Sequence, residues 1–181
     1  FGLMEVFVMD VFQAIKARRS IRQFTDEPIG KEALEKLLDA ARWAPTASNQ
    51  QRWRFVVVTS PSVKKLIKKF APGIFVMPSA FIVICAEKEA GAKPWDEATY
   101  LADCAIAAQN IMLAAWEMGI GSCPALSYAK VAIQEILNLP EDVEPLLIVT
   151  LGYPAEDPEP PPRLELNQIA FIDEYGKEWT S

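Results

Sequence analysis

Residues 96–119 read "DEATYLADCAIAAQNIMLAAWEMG", and this segment predicts a long helix that is apolar on nearly every side. A surface helix keeps one polar face towards water, whereas a helix that is apolar all round is buried by its neighbours. The segment therefore predicts a central or interfacial helix.

The sequence on both sides of this segment predicts further helices and three strands. Helical spacing occurs in "DVFQAIKARR", "GKEALEKLLDAARWA", "KVAIQEILNLPED" and "SVKKLIKKF", and the four lysines of the last are expected to face water. Strands are predicted for "WRFVVVTS", "SAFIVICA" and "EPLLIVTLGYP". The second of these is apolar throughout, as in a strand that is buried on both faces.

The composition indicates one globular domain with an acidic surface. The chain has 181 residues, of which 51% are hydrophobic, and a formal net charge of −6. This charge argues against nonspecific binding to nucleic acid or anionic membranes, and no apolar run reaches the ~18 residues of a membrane span. The opening "FGLMEVFVM" lacks the basic region and cleavage site of a signal peptide, so it is expected to be a tail on a cytoplasmic protein.

Cysteine and histidine usage limits the chemistry that the side chains can perform. Cys85, Cys104 and Cys123 lie in apolar contexts without C-x-x-C spacing, which predicts free thiols in a reducing compartment. Histidine is absent, which excludes Ser-His, Cys-His and His-metal sites. No metal site and no catalytic side chain are predicted, so catalysis would depend on a cofactor.

A proline-rich segment near the C-terminus, "AEDPEPPPR", predicts an extended arm, because such sequence forms neither a helix nor a central strand. Beyond it, "NQIAFIDEYGKEW" predicts a strand through Ile169, Phe171 and Ile172. Such a strand either folds back onto its own sheet or joins the sheet of a second copy. The stiff arm favours the second arrangement, a swapped dimer.

Three separated segments have compositions that suit ligand binding. These are "RRSIRQF" (residues 18–24), the small polar loop "APTASNQQRW" (44–53) and the predicted Gly-rich turn "MGIGSCPALS" (118–127). Alone, each is equally typical of surface charge, an ordinary loop or a helix end. The G-x-G of the third segment follows a helix and lacks a third glycine, so a Rossmann dinucleotide fold is rejected.

In combination, the segments resemble the nitroreductase family of FMN-dependent oxidoreductases, from Asp10 to Gly176. The family's Arg-x-Ser-x-Arg/Lys stretch is matched by Arg18, Ser20 and Arg22. Its Pro-Ser-Ser-x-Asn-x-Gln-Pro-Trp stretch is matched by Pro45, Thr46, Ala47, Asn49, Gln51 and Trp53, although Ala47 replaces a serine and Arg52 replaces the second proline. The segments "GIGSC" and "LGYP", followed by Arg163 in the arm, complete the match.

The resemblance implies an α+β fold with a central mixed, mainly antiparallel sheet flanked by helices. It also implies a homodimer that binds FMN at the subunit interface, with the C-terminal strand swapped onto the partner subunit. Residues 10–153 are accordingly predicted as the FMN-binding domain, residues 1–9 as a tail, and residues 154–181 as the arm and swapped strand.

For the FMN phosphate, a dianion, the resemblance implies binding by Arg18 and Arg163, with Arg19 nearby. Ser20 is expected to donate to the phosphate or the ribityl chain. Arg22 is expected near flavin N1 and O2, where reduction places negative charge.

For the rest of FMN, the resemblance implies contacts from both subunits. The ribityl chain and ring edge are expected to meet a loop of the other subunit, with Gln51 near the pyrimidine; the loop residues are Pro45, Thr46, Ala47, Ser48 and Asn49. Pro124 and Ala125 are expected to pack on one ring face, and the backbone N–H of Leu126 is expected to point at N5.

The implied activity is ping-pong hydride transfer from NADH or NADPH through flavin N5 to a nitroaromatic, quinone or related small-molecule acceptor. The mouth of the pocket has four aromatic candidates, which are equally explained as packing residues: Phe70, Phe75, Trp95 and Tyr100. Two alternatives stay open. One is a relative specialised for another redox reaction, such as reductive dehalogenation, and the other is a noncatalytic flavin-binding or ligand-sensing dimer.

Overall fold

The computed structural model describes residues 10–91 and 93–179. Residues 1–9, predicted as a tail, lie outside the described residues. A 3₁₀ turn, Ala47–Asn49, precedes the first strand. The helices are α1 (Val11–Ala17), α2 (Lys31–Arg42), α3 (Pro61–Lys69), α4 (Pro94–Glu117), α5 (Lys130–Ile136) and α6 (Leu166–Ile169), and the strands are β1 (Trp53–Val58), β2 (Ala80–Glu87), β3 (Gly121–Ala125) and β4 (Val143–Gly152).

The four strands form one antiparallel sheet in the order β1-β2-β4-β3. In the central pairing Ile82 lies opposite Val149, and β3 runs along the outer side of β4. A parallel bridge between Ser20 and Ser122 extends this outer edge by one short segment. The predicted α+β architecture with a mixed, mainly antiparallel sheet is therefore confirmed.

Helices cover both faces of the sheet because β2 and β4 alternate apolar side chains between two clusters. Ile82 and Val149 are fully buried in the cluster that includes residues of α2 and α4. Phe81 and Ile148 are fully buried in the other cluster, with residues of α3 and α5. The prediction that "SAFIVICA" is buried on both faces is confirmed. None of the helices in the described part of the chain is long and apolar enough to cross a membrane.

Helix α4 is the predicted central helix. Its buried residues recur at helical spacing, with Cys104, Ala107, Ile111 and Ala115 each at most 1% exposed. The helix begins at Pro94, two residues before the predicted start, because proline is well tolerated in the first turn. It ends at Glu117, and Gly119 follows with φ +71°, a left-handed conformation that suits glycine.

The predicted Gly-rich turn after α4 is confined to Met118 and Gly119, and most of the rest of the segment forms a strand that was not predicted. Residues Gly121–Ala125 pair with β4, with Cys123 opposite Thr150. Proline and glycine usually mark turns, but proline is accepted in an edge strand, where its missing N–H faces outwards. Gly121 is required for a different reason: a Cβ atom there would lie 2.8 Å from Ile21 Cβ.

The predicted C-terminal strand is wrong at Ile169, whereas its pairing with the sheet of a second copy stays a prediction. Ile169 belongs to α6, a single helical turn that Glu165 and Gln168 close with a capping box. Among the described residues beyond α6, strand-like pairing is limited to a single antiparallel bridge, Phe171 to Glu178. The arm carries exposed apolar side chains, including Leu164 and Tyr175, so its apolar pattern reflects a surface that is not covered within one chain.

One of the four lysines expected to face water is held by the fold. Lys64 Nζ donates to the carbonyl oxygens of Pro78 and Ser79 at 3.0 and 2.8 Å. Burial lowers the pKa of Lys64 from its usual value. Helical spacing alone does not reveal that a neighbouring loop passes over this side of α3.

The close contact between Gly121 and Ile21 predicts a selective effect of adding one methyl group. Gly121→Ala should lower the free energy of unfolding by about 1–3 kcal/mol, because the new Cβ overlaps a fully buried side chain. Urea denaturation measures this effect. Gly30→Ala is the control, since nothing lies within 4 Å of its added Cβ. Equal stability of the two variants would contradict the close approach.

Candidate functional site

Residues 18–24 lie against the outer edge of the sheet. Ile21 N donates to Ser122 O at 3.0 Å, and Thr25 N donates to Tyr153 O at 2.9 Å. Ile21 is 1% exposed, so the apolar residue between the arginines anchors the segment. At Gly152 a Cβ would lie 2.7 Å from the Phe24 ring, which makes the glycine of "LGYP" a second point of close approach.

Glu156 fixes the same segment from the other side. Its Oε1 accepts hydrogen bonds from the backbone N–H groups of Arg22 and Gln23, and Ala155 N donates to Gln23 O. One carboxylate thus binds two successive N–H groups, which is a strong arrangement. Glu156 was not predicted from the sequence, because an acidic residue in a proline-rich arm is typical of solvated surface.

The three arginines predicted for the phosphate, Ser20, and the Arg22 predicted near the flavin ring meet in one cavity of about 280 Å³, here named the arginine cavity. Its lining consists of Arg18, Arg19, Ser20, Arg22, Pro158, Glu159, Pro161 and Arg163. Within residues 10–91 and 93–179, none of these four arginines forms an ion pair with a carboxylate. The cavity therefore concentrates positive charge on an acidic chain.

Arg18 is the most constrained of these arginines. Its Nη1 atom is buried and has no hydrogen-bond partner in the structure. Burial lowers the pKa of Arg18, the guanidinium groups of Arg163 and Arg19 lower it further, and Cys123 acts in the opposite direction. Arginine nevertheless remains charged in proteins. An anion in the cavity would supply both the missing acceptor and the missing negative charge.

Arg19 has a structural task in addition to lining the cavity. Its Nη1 donates to the carbonyl oxygens of Lys16, Ala17 and Arg18 at 2.7, 2.8 and 3.0 Å. These bonds satisfy carbonyl groups at the C-terminal end of α1, where helices leave acceptors unpaired. Arg19 is therefore partly committed to the helix end, and Arg18 and Arg163 are the freer phosphate candidates.

A second cavity, here named the Phe75 cavity, lies next to the first. Arg22 lines both. Its other lining residues are Phe24, Gly73, Ile74, Phe75, Val76, Cys123, Pro124, Ala125 and Thr150. Two of the predicted ring-face residues, Pro124 and Ala125, are thus brought together with Arg22. Of the four aromatic candidates, Phe75 lines this cavity, Tyr100 is buried elsewhere, and the Trp95 side chain lies outside the described residues.

The outer edge of β3 faces residues 18–24. Backbone polar groups alternate between the two sides of a strand, and Ser122 O faces outwards because it accepts from Ile21 N. The strand ends at Ala125, one residue before Leu126. The expected direction of the Leu126 N–H towards flavin N5 therefore stays a prediction.

The predicted loop, residues 45–51, lines neither cavity of its own chain. Ser48, Asn49 and Gln51 have φ values of 50°, 53° and 52°, in the left-handed region that non-glycine residues rarely occupy. Thr46 holds the loop closed, since its Oγ1 accepts from Gln51 N at 3.0 Å. The Gln51 side chain donates to Asn49 O within the loop.

Two polar side chains of α4, Asp103 and Asn110, hold the region before β1 and were missed by the sequence analysis. Both Asp103 carboxylate oxygens lie 3.3 Å from Ala47 N, and Asn110 Nδ2 donates to Ala40 O at 3.1 Å. The residues are seven positions apart and share one face of the helix. Isolated polar residues in an otherwise apolar helix were the available signal.

The three free thiols differ in environment. Burial raises the pKa of Cys85 to about 12. Burial also raises the pKa of Cys104 to about 12, with smaller contributions from Cys85 and Asp103. Cys123 is half-buried and lines the Phe75 cavity.

Comparison with known proteins agrees with this fold. The model of the nitroreductase family matches residues 15–76 and 68–153. A protein of Methanothermobacter thermautotrophicus named NADH dehydrogenase/NAD(P)H nitroreductase is 38% identical over 164 residues, which span 85% of this chain and 82% of the relative. The NADPH-flavin oxidoreductase of Vibrio harveyi is 31% identical over 179 residues, spanning 92% of this chain and 75% of the relative.

Solved structures give the same result. A nitroreductase family protein of Clostridium difficile, 29% identical in sequence, superposes with a TM-score of 0.82 over 92% of this chain and 99% of that chain. The family match covers more than half of the residues. The chain belongs to the nitroreductase family, as its sequence predicted.

The thiol environments predict selective labelling. In protein freed of small molecules by dialysis, a thiol reagent at pH 8 should modify Cys123 rapidly, because Cys85 and Cys104 are buried and protonated. Mass spectrometry of the labelled peptides identifies the site. Cys123→Ser should abolish the rapid reaction, and fast labelling of Cys85 or Cys104 would contradict their placement.

Proposed function

We propose that this chain is an FMN-dependent NAD(P)H oxidoreductase that passes reducing equivalents to a small-molecule acceptor such as a nitroaromatic or a quinone. The oxidoreductase class rests on the family match and on the names of the relatives. The observation that carries the cofactor assignment is the buried Nη1 of Arg18, which has no partner in a cavity lined by four arginines.

The arginine cavity fits a terminal phosphate. A phosphate monoester carries close to two negative charges at pH 7, and guanidinium groups bind it bidentately. Arg18 and Arg163 would hold the phosphate, with Ser20 as a further donor, and Glu159 lies at the same wall. An internal pyrophosphate would also meet arginines, but the clustering of charge in one cavity fits a single terminal phosphate better.

The lining of the Phe75 cavity suits one face of the flavin ring. Pro124 and Ala125 offer an apolar wall. Leu126 directly follows them, and its N–H would donate to the ring atom that takes up hydride. Arg22 stands where the two cavities adjoin, and its guanidinium group has no carboxylate partner among the described residues. Its fixed charge would favour negative charge on the nearby ring edge.

We propose a homodimer that completes the site. Exposed apolar side chains on α1, α4 and the arm form surfaces of the kind that subunit interfaces cover. Examples are Phe12 on α1, 74% exposed, Ile106 on α4 and Trp179 in the arm. The strained loop, residues 45–51, lines neither the arginine cavity nor the Phe75 cavity of its own chain. In the dimer it would instead contact the FMN of the partner subunit.

Bound FMN would supply the hydride chemistry. The residues of the chain would bind the cofactor, orient the reactants and exclude unproductive geometries. Arg18 and Arg163 fix one end of the cofactor, and the β3 edge fixes the other. Holding donor and acceptor in one geometry accounts for a large part of catalysis in such a site. Phe75, 69% exposed, stands at the opening through which nicotinamide and acceptor would enter in turn.

The decisive experiment is an absorption spectrum of the purified protein. We expect flavin bands that bleach when NADH or NADPH is added without oxygen and return when a quinone is added. FMN, and not FAD, should be recovered on extraction. A coloured protein that neither nicotinamide bleaches would favour a noncatalytic flavin-binding dimer. A colourless protein that FMN does not stabilise would contradict the proposal.

Arg18→Ala should weaken FMN binding by roughly ten- to a hundredfold, because it removes a charge-assisted contact of about 1.5–3 kcal/mol. Quenching of flavin fluorescence measures the dissociation constant. Arg42→Ala is the matched control, since Arg42 is an exposed arginine that pairs with Asp39 and lines neither cavity. Unchanged FMN affinity in Arg18→Ala would show that the arginines of residues 18–22 are ordinary surface charge.

A further inference from the structure

The strained loop requires an external support. Three left-handed non-glycine residues within four positions cost free energy, of the order of 1 kcal/mol each. The hydrogen bonds within the loop, such as Gln51 N to Thr46 Oγ1, close the turn but do not attach it to the body of the protein. Strain of this kind persists only where the surroundings hold the conformation.

Asp103 supplies that attachment. Its side chain projects from the central helix α4, and both carboxylate oxygens lie 3.3 Å from the backbone nitrogen of Ala47, inside the loop. Asp103 is 8% exposed. Among the residues that the structure describes, no cationic group pairs with it.

This arrangement is a poor way to stabilise a fold. A buried carboxylate without a cationic partner has lost much of its hydration and regains little from one shared N–H donor. An apolar residue at position 103 would continue the apolar pattern of α4 without that loss. The presence of the Asp103 carboxylate is therefore better explained by its bond to the loop backbone at Ala47 than by a contribution to stability.

We propose that Asp103 is a positioning residue of the flavin site: it fixes the strained loop, residues 45–51, in the conformation that contacts the FMN of the partner subunit. The inference rests on the proposed function, which assigns that contact. Asp103 touches neither cofactor nor substrate. It acts through the backbone of Ala47, so the side chains of the loop keep their orientation without a covalent or metal constraint.

Three variants separate this role from a general structural one. Asp103→Ala removes the acceptor. Asp103→Asn keeps a carbonyl oxygen that can accept from the same N–H but removes the charge. Asn110→Ala is the matched control, because Asn110 lies on the same face of α4 and also bonds a single backbone atom, Ala40 O, which belongs to α2 and not to the loop.

Affinity for FMN is the first readout. Asp103→Ala should weaken FMN binding about tenfold, whereas Asp103→Asn and Asn110→Ala should stay within about threefold of the unmodified protein. Thermal unfolding without FMN should change no more in Asp103→Ala than in Asn110→Ala. A loss of stability without a loss of FMN affinity would overturn the inference and leave a structural role.

Hydrogen exchange reads the loop directly and does not depend on FMN. The Ala47 and Gln51 amides should exchange faster in Asp103→Ala than in Asn110→Ala, while the amides of β2 stay protected in both. Unchanged exchange in the loop would overturn the inference even if FMN affinity fell.

Mixed dimers test whether the action is on the partner's site. In a heterodimer of an Asp103→Ala subunit and an Arg18→Ala subunit, each subunit has one defect. One of the two sites then combines the intact Arg18 of the first subunit with the intact loop of the second. At an FMN concentration that leaves both mutant homodimers mostly empty, the mixture should regain binding at that one site. No regain would overturn action across the interface. Failure of the unmodified protein to bind FMN would instead contradict the proposed function.

Discussion

The contact of Ile21 with the edge of β3 is the constraint on which the site depends. The hydrogen bond from Ile21 N to Ser122 O and the missing side chain at Gly121 let the segment lie directly on the sheet. Because Ile21 is buried, its neighbours Arg18 and Arg22 are turned towards the two cavities. A chain that lost this contact would keep its sheet and lose its cluster of charge.

The positive charge gathered there opposes the stability of the isolated chain. Arg18 is partly buried beside two other arginines and has an unpaired Nη1, an arrangement that costs free energy until an anion enters. A ligand that binds only the folded state returns stability by mass action. Binding of an anion at this site would therefore be coupled to folding.

Much of the fold followed from the sequence because its signals were local. The apolar pattern of α4 and of β2 identified buried elements correctly, and the order of the three segments identified the family. The pairing of segments that are far apart in the sequence could not be predicted from these local signals. Residues Gly121–Ala125 resemble a turn until β4 is available as a partner, and the last segment resembles a strand although the described chain gives it one bridge and one helical turn. Glu156 and Asp103 were missed because their partners are backbone atoms, which no side-chain pattern records.

Those two carboxylates show how this fold holds irregular backbone at a ligand site. Glu156 binds the N–H groups of Arg22 and Gln23, and Asp103 binds that of Ala47, so each fixes a segment that has no regular secondary structure at that point. The segments carry the side chains assigned to the cofactor, while the carboxylates contact only backbone. Substitutions that change ligand contacts within either segment would leave these attachments in place, whereas loss of a carboxylate would free the whole segment. The specificity of the site can therefore vary independently of the groups that position it.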